Sequence, residues 1–217
     1  MIRLHHVPWS RSFRIKWLLA EMGIAHETEI YSITDGSMRT PDYLAKSPAG
    51  RVPALEIDGR VLFESGAITE YLCETRPDHG LGRAPGHEER AEYLEWLHYA
   101  ETMAALIANL NLQWVFLREP EMRSPTLLKI EASRLKGIVK ALDAALDGRD
   151  YLLASGFSAA DTMFGYNLWA MPRYVRLEPF ANVRAYIERT SARPAYIQAA
   201  ESEPEQKFYT QEFYEVG

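Results

Sequence analysis

The sequence predicts an α/β domain built on a mixed four-stranded sheet, followed by an all-helical bundle. Three observations carry this expectation. Strand-like and helix-like runs alternate as β-α-β-α-β-β-α over roughly the first third of the chain. Asp58-Gly59 separates the last two strand-like runs, and Asp-Gly is a strong signal for a two-residue hairpin turn. The Pro- and Gly-rich stretch PDHGLGRAPGH at 77–87 then divides this region from a remainder that is helical in pattern almost to its end. The first two strands can pair in parallel while the last two form a hairpin, so one mixed sheet covered by helices is expected.

In chain order, residues 2–6 read as a short strand. Residues 10–23 follow with Phe13, Trp17, Leu18 and Met22 at helical spacing, and Gly23 sits where a glycine stops a helix. A second strand is expected at 26–31, a polar loop at 34–39, and a short helix at 41–46 that begins at a proline. The hairpin strands fall at 54–57 and 60–63, and a helix opens at Ser65 and ends before Pro77. Domain limits of 1–78 and 87–217 follow, with 79–86 as linker. In the second part, helical patterns cover 88–118, 125–146, 158–171, 180–190 and 194–200. Ser158 and Asp161 have the spacing of a capping box, with Asp in place of the usual Glu.

Composition excludes several functions. The 217 residues carry a net charge of −6 and no Lys/Arg cluster, a poor match to nucleic acid or an anionic membrane. Apolar runs stay far short of the roughly 20 residues a membrane span needs. The start, MIRLHHVPWSRSF, has no apolar signal core, so the cytoplasm is the expected address. Cys73 is the single cysteine and is expected to be a buried structural thiol. His5 and His6 are neighbours on a strand and point to opposite faces, and neither H-x-x-x-H nor C-x-x-C occurs, so no metal site is expected.

Three short segments carry candidate chemistry. In SPAGRVPAL, Pro53 opens a strand where its missing N–H costs least. Alternatively, a cis bond after Val52 turns the Val52 N–H and C=O outward, where an extended peptide could pair with them. Glu64-Ser65 opens a helix. Ser65 either caps that helix beside a solvated Glu64, or the helix end and Ser65 receive a carboxylate while Glu64 meets an ammonium. The second arrangement matches an α-amino acid head group. Ser10 and Ser12 flank the start of the first helix, where a hydroxyl either caps the helix or donates to a thiolate. A hydrogen bond to a charged group contributes about 1.5–3 kcal/mol, or about 1–2 units of thiol pKa.

Taken together, SRSFR, GRVPAL, FESGAITEYL and FSAADTMFG resemble the glutathione transferase family along the whole chain. The similarity is to bacterial and fungal enzymes with an N-terminal serine. The resemblance implies a thioredoxin-like first domain, glutathione as co-substrate with no further cofactor, and a homodimer. It implies that Val52 and Pro53 meet the cysteinyl backbone of glutathione, Glu64 and Ser65 its γ-glutamyl end, and Arg39 and Arg51 its glycyl carboxylate. Ser10 aligns with the thiol-activating position and Ser12 is the second candidate. The expected partner is a small hydrophobic electrophile in a pocket between the domains, with Trp9, Met103, Leu106 and Trp114 as candidate lining, although Met and aromatic residues at helical spacing are more often core. Disulfide reduction, peroxidase chemistry and non-catalytic glutathione binding are the alternatives within this family. The aromatic tail, with Phe208, Tyr209, Phe213 and Tyr214, is expected to cover either the cleft or a dimer seam.

Overall fold

The structure, a computed structural model, describes residues 1–206 and 208–215. The first part holds β1 (Arg3–His6), α1 (Phe13–Glu21), β2 (Glu27–Ile30), α2 (Pro41–Leu44), β3 (Ala54–Ile57), β4 (Arg60–Phe63) and α3 (Ser65–Thr75). The sheet order is β2-β1-β3-β4. β1 and β2 are parallel, and β3 is antiparallel to both β1 and β4. The hairpin turns at Asp58 (φ 53°) and Gly59 (φ 73°), the two successive left-handed residues that a twist-matched two-residue turn requires.

The helical part holds α4 (Arg90–Asn111), α5 (Pro125–Ala145), α6 (Ala159–Met163), α7 (Gly165–Ala170), α8 (Ala181–Ser191) and α9 (Pro194–Glu201). Two expected helices differ from the sequence reading. The pattern at 88–118 is α-helical only to Asn111. It then widens into a π-helical turn over Leu112–Phe116, closed by the Leu117 N–H donating to the Leu112 carbonyl, and gives way to extended backbone before Pro120. The pattern at 158–171 divides at Phe164 into two short helices, and the chain passes Pro172 in a 3-10 turn. Val216 and Gly217, at the end of the expected helical region, lie outside the described residues.

The core sits where α1 is enclosed. One side of α1 meets α3 and β1, and the other meets α6, α7 and α9. Ile15, Trp17, Leu18 and Leu19 are accordingly fully buried. Each such apolar side chain contributes about 1.5–3 kcal/mol relative to exposure. The approach of α7 to α1 requires a glycine, because a Cβ on Gly165 would lie 2.9 Å from the Trp17 ring. The Ser158/Asp161 capping box forms at the start of α6. Asp161 also accepts from the Leu152 N–H and the Tyr186 hydroxyl, so it ties three segments of the helical part together.

After α9 the chain turns back across the molecule. Glu203 reaches β1, Tyr209 donates to Asn111 of α4, and the Tyr214 N–H donates to the Arg173 carbonyl. Among the described residues no helix is long and apolar enough to cross a membrane, and no cluster of three His, Cys, Asp or Glu side chains could hold a metal ion. Cys73 is buried, and burial pushes its thiol up to about 11.

Candidate active site

The loop after β1 presents two serines in different surroundings. Trp9 has a left-handed backbone (φ 52°), unusual for a bulky residue. Its N–H donates to Glu203 Oε2 at 2.8 Å, its indole Nε1–H donates to the Pro204 carbonyl, and its ring stacks on Trp169 with centroids 4.6 Å apart. Held in this way, the loop directs Ser10 into a cleft of about 520 Å³ between the sheet domain and the helices. Ser12 is fully buried behind it, 2.9 Å away from oxygen to oxygen. Ser12 occupies the N-cap position of α1, but its hydroxyl makes no capping bond and turns instead to His6 Nδ1 at 2.7 Å. Of these two serines, Ser10 lines the cleft and Ser12 does not.

A second cavity of about 390 Å³ adjoins the first and shares Arg11, Arg51 and Val52 with it. Pro53, Glu64 and Ser65 also line it. The Val52-Pro53 bond is cis. Neither the N–H nor the C=O of Val52 has a hydrogen-bond partner among the described residues. Glu64 is the N-cap of α3 and has φ 71°, so Ser65 is the first helical residue and not the cap. The Glu64 carboxylate is exposed and makes no hydrogen bond to the described residues. Arg39 is exposed, lines the larger cavity and donates to the Ala49 carbonyl.

Ser65 is anchored from below. Arg14, fully buried on α1, donates to Ser65 Oγ at 3.1 Å, to Asn167 Oδ1 at 3.1 Å, to the Ala100 carbonyl and to Glu101. Glu101, on α4, also accepts from Arg11 at 3.0 Å and lines the smaller cavity. Burial alone would raise the Glu101 carboxyl, but the charges of Arg14 and Arg11 outweigh this and hold it below the usual carboxylate range. The helical part thus supplies a carboxylate to the same cavity as Glu64. Arg14 closes the SRSFR motif, but the sequence assigned no role to Arg11, Arg14 or Glu101, because the arginines meet Glu101 from 87 and 90 positions away.

The expected lining of the larger cleft needs correction. Trp9 lines it. Met103 does not: it is fully buried in the core. Leu106 packs against that core, and Trp114 packs on Tyr214 beneath the Arg123 guanidinium. The stripe that does line the cleft is Ala104 and Ala108 of α4 and Leu112 of the π-helical turn, each four positions on, joined by Val115 and Phe116. The physical reason is volume. The large apolar residues of α4 are taken up by the core, and small ones leave the space open. That spacing of four was legible in the sequence. Asn111 adds a polar floor, accepting from the Tyr174 and Tyr209 hydroxyls and donating to Tyr166. Of the tail residues, Phe208 and Tyr209 line the cleft, whereas Tyr214 is buried in the core and Phe213 lies under Arg176.

Comparison with known proteins identifies the fold and the family. Residues 1–74 match the family model described as the N-terminal domain of glutathione S-transferase. Glutathione S-transferase 3 of Schizosaccharomyces pombe is 30% identical over 215 residues, covering 93% of this chain and 87% of that protein. Among solved structures, a glutathione transferase from Methylococcus capsulatus superposes with a TM-score of 0.80 at 27% identity, covering 93% of this chain and 98% of the other. A sphingomonad glutathione S-transferase complexed with glutathione gives a TM-score of 0.80 at 26% identity, over 92% and 98% of the two chains. With a thioredoxin-like sheet domain, a following helical region and this relationship over nearly its full length, the chain belongs to the glutathione S-transferase family and is a glutathione transferase that takes glutathione as its co-substrate.

Proposed function

We propose that this enzyme stabilises the glutathione thiolate with the Ser10 hydroxyl and directs it at a small, largely apolar electrophile. The observation that carries this reading is the position of Ser10. It opens on the larger cavity, which shares Arg11, Arg51 and Val52 with the smaller one.

Glutathione lies along the smaller cavity. Its γ-glutamyl ammonium meets Glu64 and Glu101, and its α-carboxylate meets Ser65 and the free N–H groups at the start of α3. Its cysteinyl backbone pairs with the open N–H and C=O of Val52. Arg51 and Arg39 take the glycyl carboxylate. The thiol then falls beside Ser10, whose donated hydrogen bond moves it about 1–2 pKa units toward neutrality. The electrophile occupies the larger cavity against Ala104, Ala108, Leu112 and Trp9, with Tyr166 and Asn109 available to one polar group.

The same reading has residues 1–78 and 87–217 as two domains joined at 79–86, a homodimeric assembly, a cytoplasmic location and a role in detoxification. Ultraviolet thiolate absorbance of glutathione on the protein, titrated over pH, tests the central claim. The expected result is a saturable thiolate signal below the pKa of free glutathione that Ser10→Ala abolishes. Glutathione binding with no thiolate at any pH below that of the free thiol would leave a binding module.

A further inference from the structure

Behind Ser10 runs a buried chain of polar groups that thiolate stabilisation alone does not use. Glu203 has a fully buried carboxylate that accepts from Lys16, from the Trp9 N–H at 2.8 Å and from His6 Nε2 at 2.9 Å. His6 is fully buried and its other nitrogen, Nδ1, lies 2.7 Å from Ser12 Oγ. Ser12 Oγ lies 2.9 Å from Ser10 Oγ, and Ser10 faces the cleft. A carboxylate offers no proton, so Nε2 carries the hydrogen and Nδ1 is an acceptor.

We propose that His6 is the acceptor of the glutathione thiol proton, delivered through Ser10 and Ser12, with Glu203 as the positioning residue that fixes its tautomer. This inference rests on Ser10 being the residue that meets the thiol. The step balances as a relay. The S–H bond breaks as its proton passes to Ser10 Oγ, the Ser10 proton passes to Ser12 Oγ, and the Ser12 proton forms the new Nδ1–H bond. The products are a thiolate and an imidazolium, and both hydroxyls end re-protonated and pointing toward the sulfur.

The backbone is arranged for both states. Ser12 Oγ accepts from the Val7 N–H at 3.2 Å, and Ser10 Oγ accepts from the Ser12 N–H at 3.3 Å. Each hydroxyl oxygen then has one further lone pair, taken before transfer by the group on its cleft side and after transfer by the group on its His6 side. The charges facing His6 are Glu203 from the tail, Lys16 from α1 and His26 ahead of β2. Burial, aided by Lys16 and His26, keeps the imidazole below its ordinary range despite Glu203, so it is neutral and ready to accept in the empty site. The imidazolium and thiolate form together, and each offsets the other's charge.

The test is a proton count. Reduced glutathione is added to the intact protein in weakly buffered indicator solution near neutral pH, while thiolate absorbance is read in parallel. A relay ending on His6 keeps the proton inside the protein, so thiolate forms with almost no proton released. Release of about one proton per thiolate overturns the relay while leaving thiolate stabilisation by Ser10 intact. Absence of any thiolate signal overturns both. His6→Gln cannot store the proton, so thiolate formed on it is expected to be accompanied by release. Thiolate without release in His6→Gln overturns the assignment to His6. If that variant does not fold, the count on the unaltered protein decides alone.

Discussion

The Glu203 carboxylate accepts a hydrogen bond from the Trp9 N–H at 2.8 Å, although 194 positions separate the two residues. The tail therefore holds the left-handed turn that places Ser10 in the cleft. The segment after α9 and the loop after β1 form one structural unit.

That unit is expected to lose stability in acid, and the sign follows from the two groups in it. Burial lowers the His6 imidazole below its ordinary value of 6.5, so the unfolded chain binds a proton there before the folded one does. The Glu203 carboxyl is raised by burial, but its bonds to His6 and Lys16 outweigh this and leave it below 4.5. Both contributions are present near neutral pH. The His6 part is lost first as pH falls below about 6.5, and the Glu203 part follows below about 4.5. Denaturant unfolding at a series of pH values should show falling stability across that range. A flat profile would contradict it.

Ser10→Ala and Ser12→Ala should separate. Removing the Ser10 hydroxyl should raise the apparent pKa of bound glutathione by about 1–2 units and lower turnover near neutral pH by about 10–100-fold, with stability nearly unchanged. Removing the buried Ser12 hydroxyl strands His6 Nδ1 and the Val7 N–H, so a loss of about 1–3 kcal/mol of stability should accompany its effect on turnover. Steady-state kinetics with thermal unfolding of both variants checks this. Unchanged turnover in both would remove the serines from the mechanism.

Glu101→Gln should weaken glutathione binding and stability together. Arg14 is fully buried and Glu101 is its charged partner, while Arg11 holds the second oxygen. Replacing the carboxylate with a neutral amide leaves the buried guanidinium without a counter-charge, which costs about 1.5–3 kcal/mol. Calorimetric binding of glutathione and denaturant unfolding provide the two readouts.

Ala108→Phe should fill the cleft without disturbing the core, because Ala108 is exposed and lines the larger cavity only. The KM for glutathione should stay the same while kcat/KM for a bulky electrophile falls by about tenfold, the equivalent of about 1.4 kcal/mol of lost transition-state binding. Equal losses for both substrates would place the electrophile elsewhere.

Gly165→Ala should destabilise the contact between α7 and α1 by about 1–3 kcal/mol, since the new methyl group meets the buried Trp17 ring at 2.9 Å. Chemical denaturation measures it directly.

The strand and helix order of the first part was legible because local rules dominate there. Asp58-Gly59 can form few other turns as readily, Gly23 stops α1, and the alternation of strand and helix runs reads directly from the residues. The capping box at Ser158 and Asp161 is likewise a pattern of four consecutive positions. The division of the 158–171 helix at Phe164 was not legible from its periodicity, which runs through the break. Met103, Leu106 and Trp114 were misplaced for a different reason. Size and apolarity mark a residue for burial, and the face of α4 left open to the cleft is the one carrying alanines.

The sequence by itself determined the element order of the first part, the hairpin and the local motifs around Ser10, Val52 and Glu64-Ser65, each written within a few consecutive residues, and the family, read from several such motifs along the chain. Only the tertiary structure decided which serine faces the cleft, which carboxylate supports Arg14 and that Tyr209 lines the cleft against Asn111. Those outcomes rest on contacts between residues 87 to 197 positions apart, where the burial of one charge is tolerated only because a distant segment brings its partner.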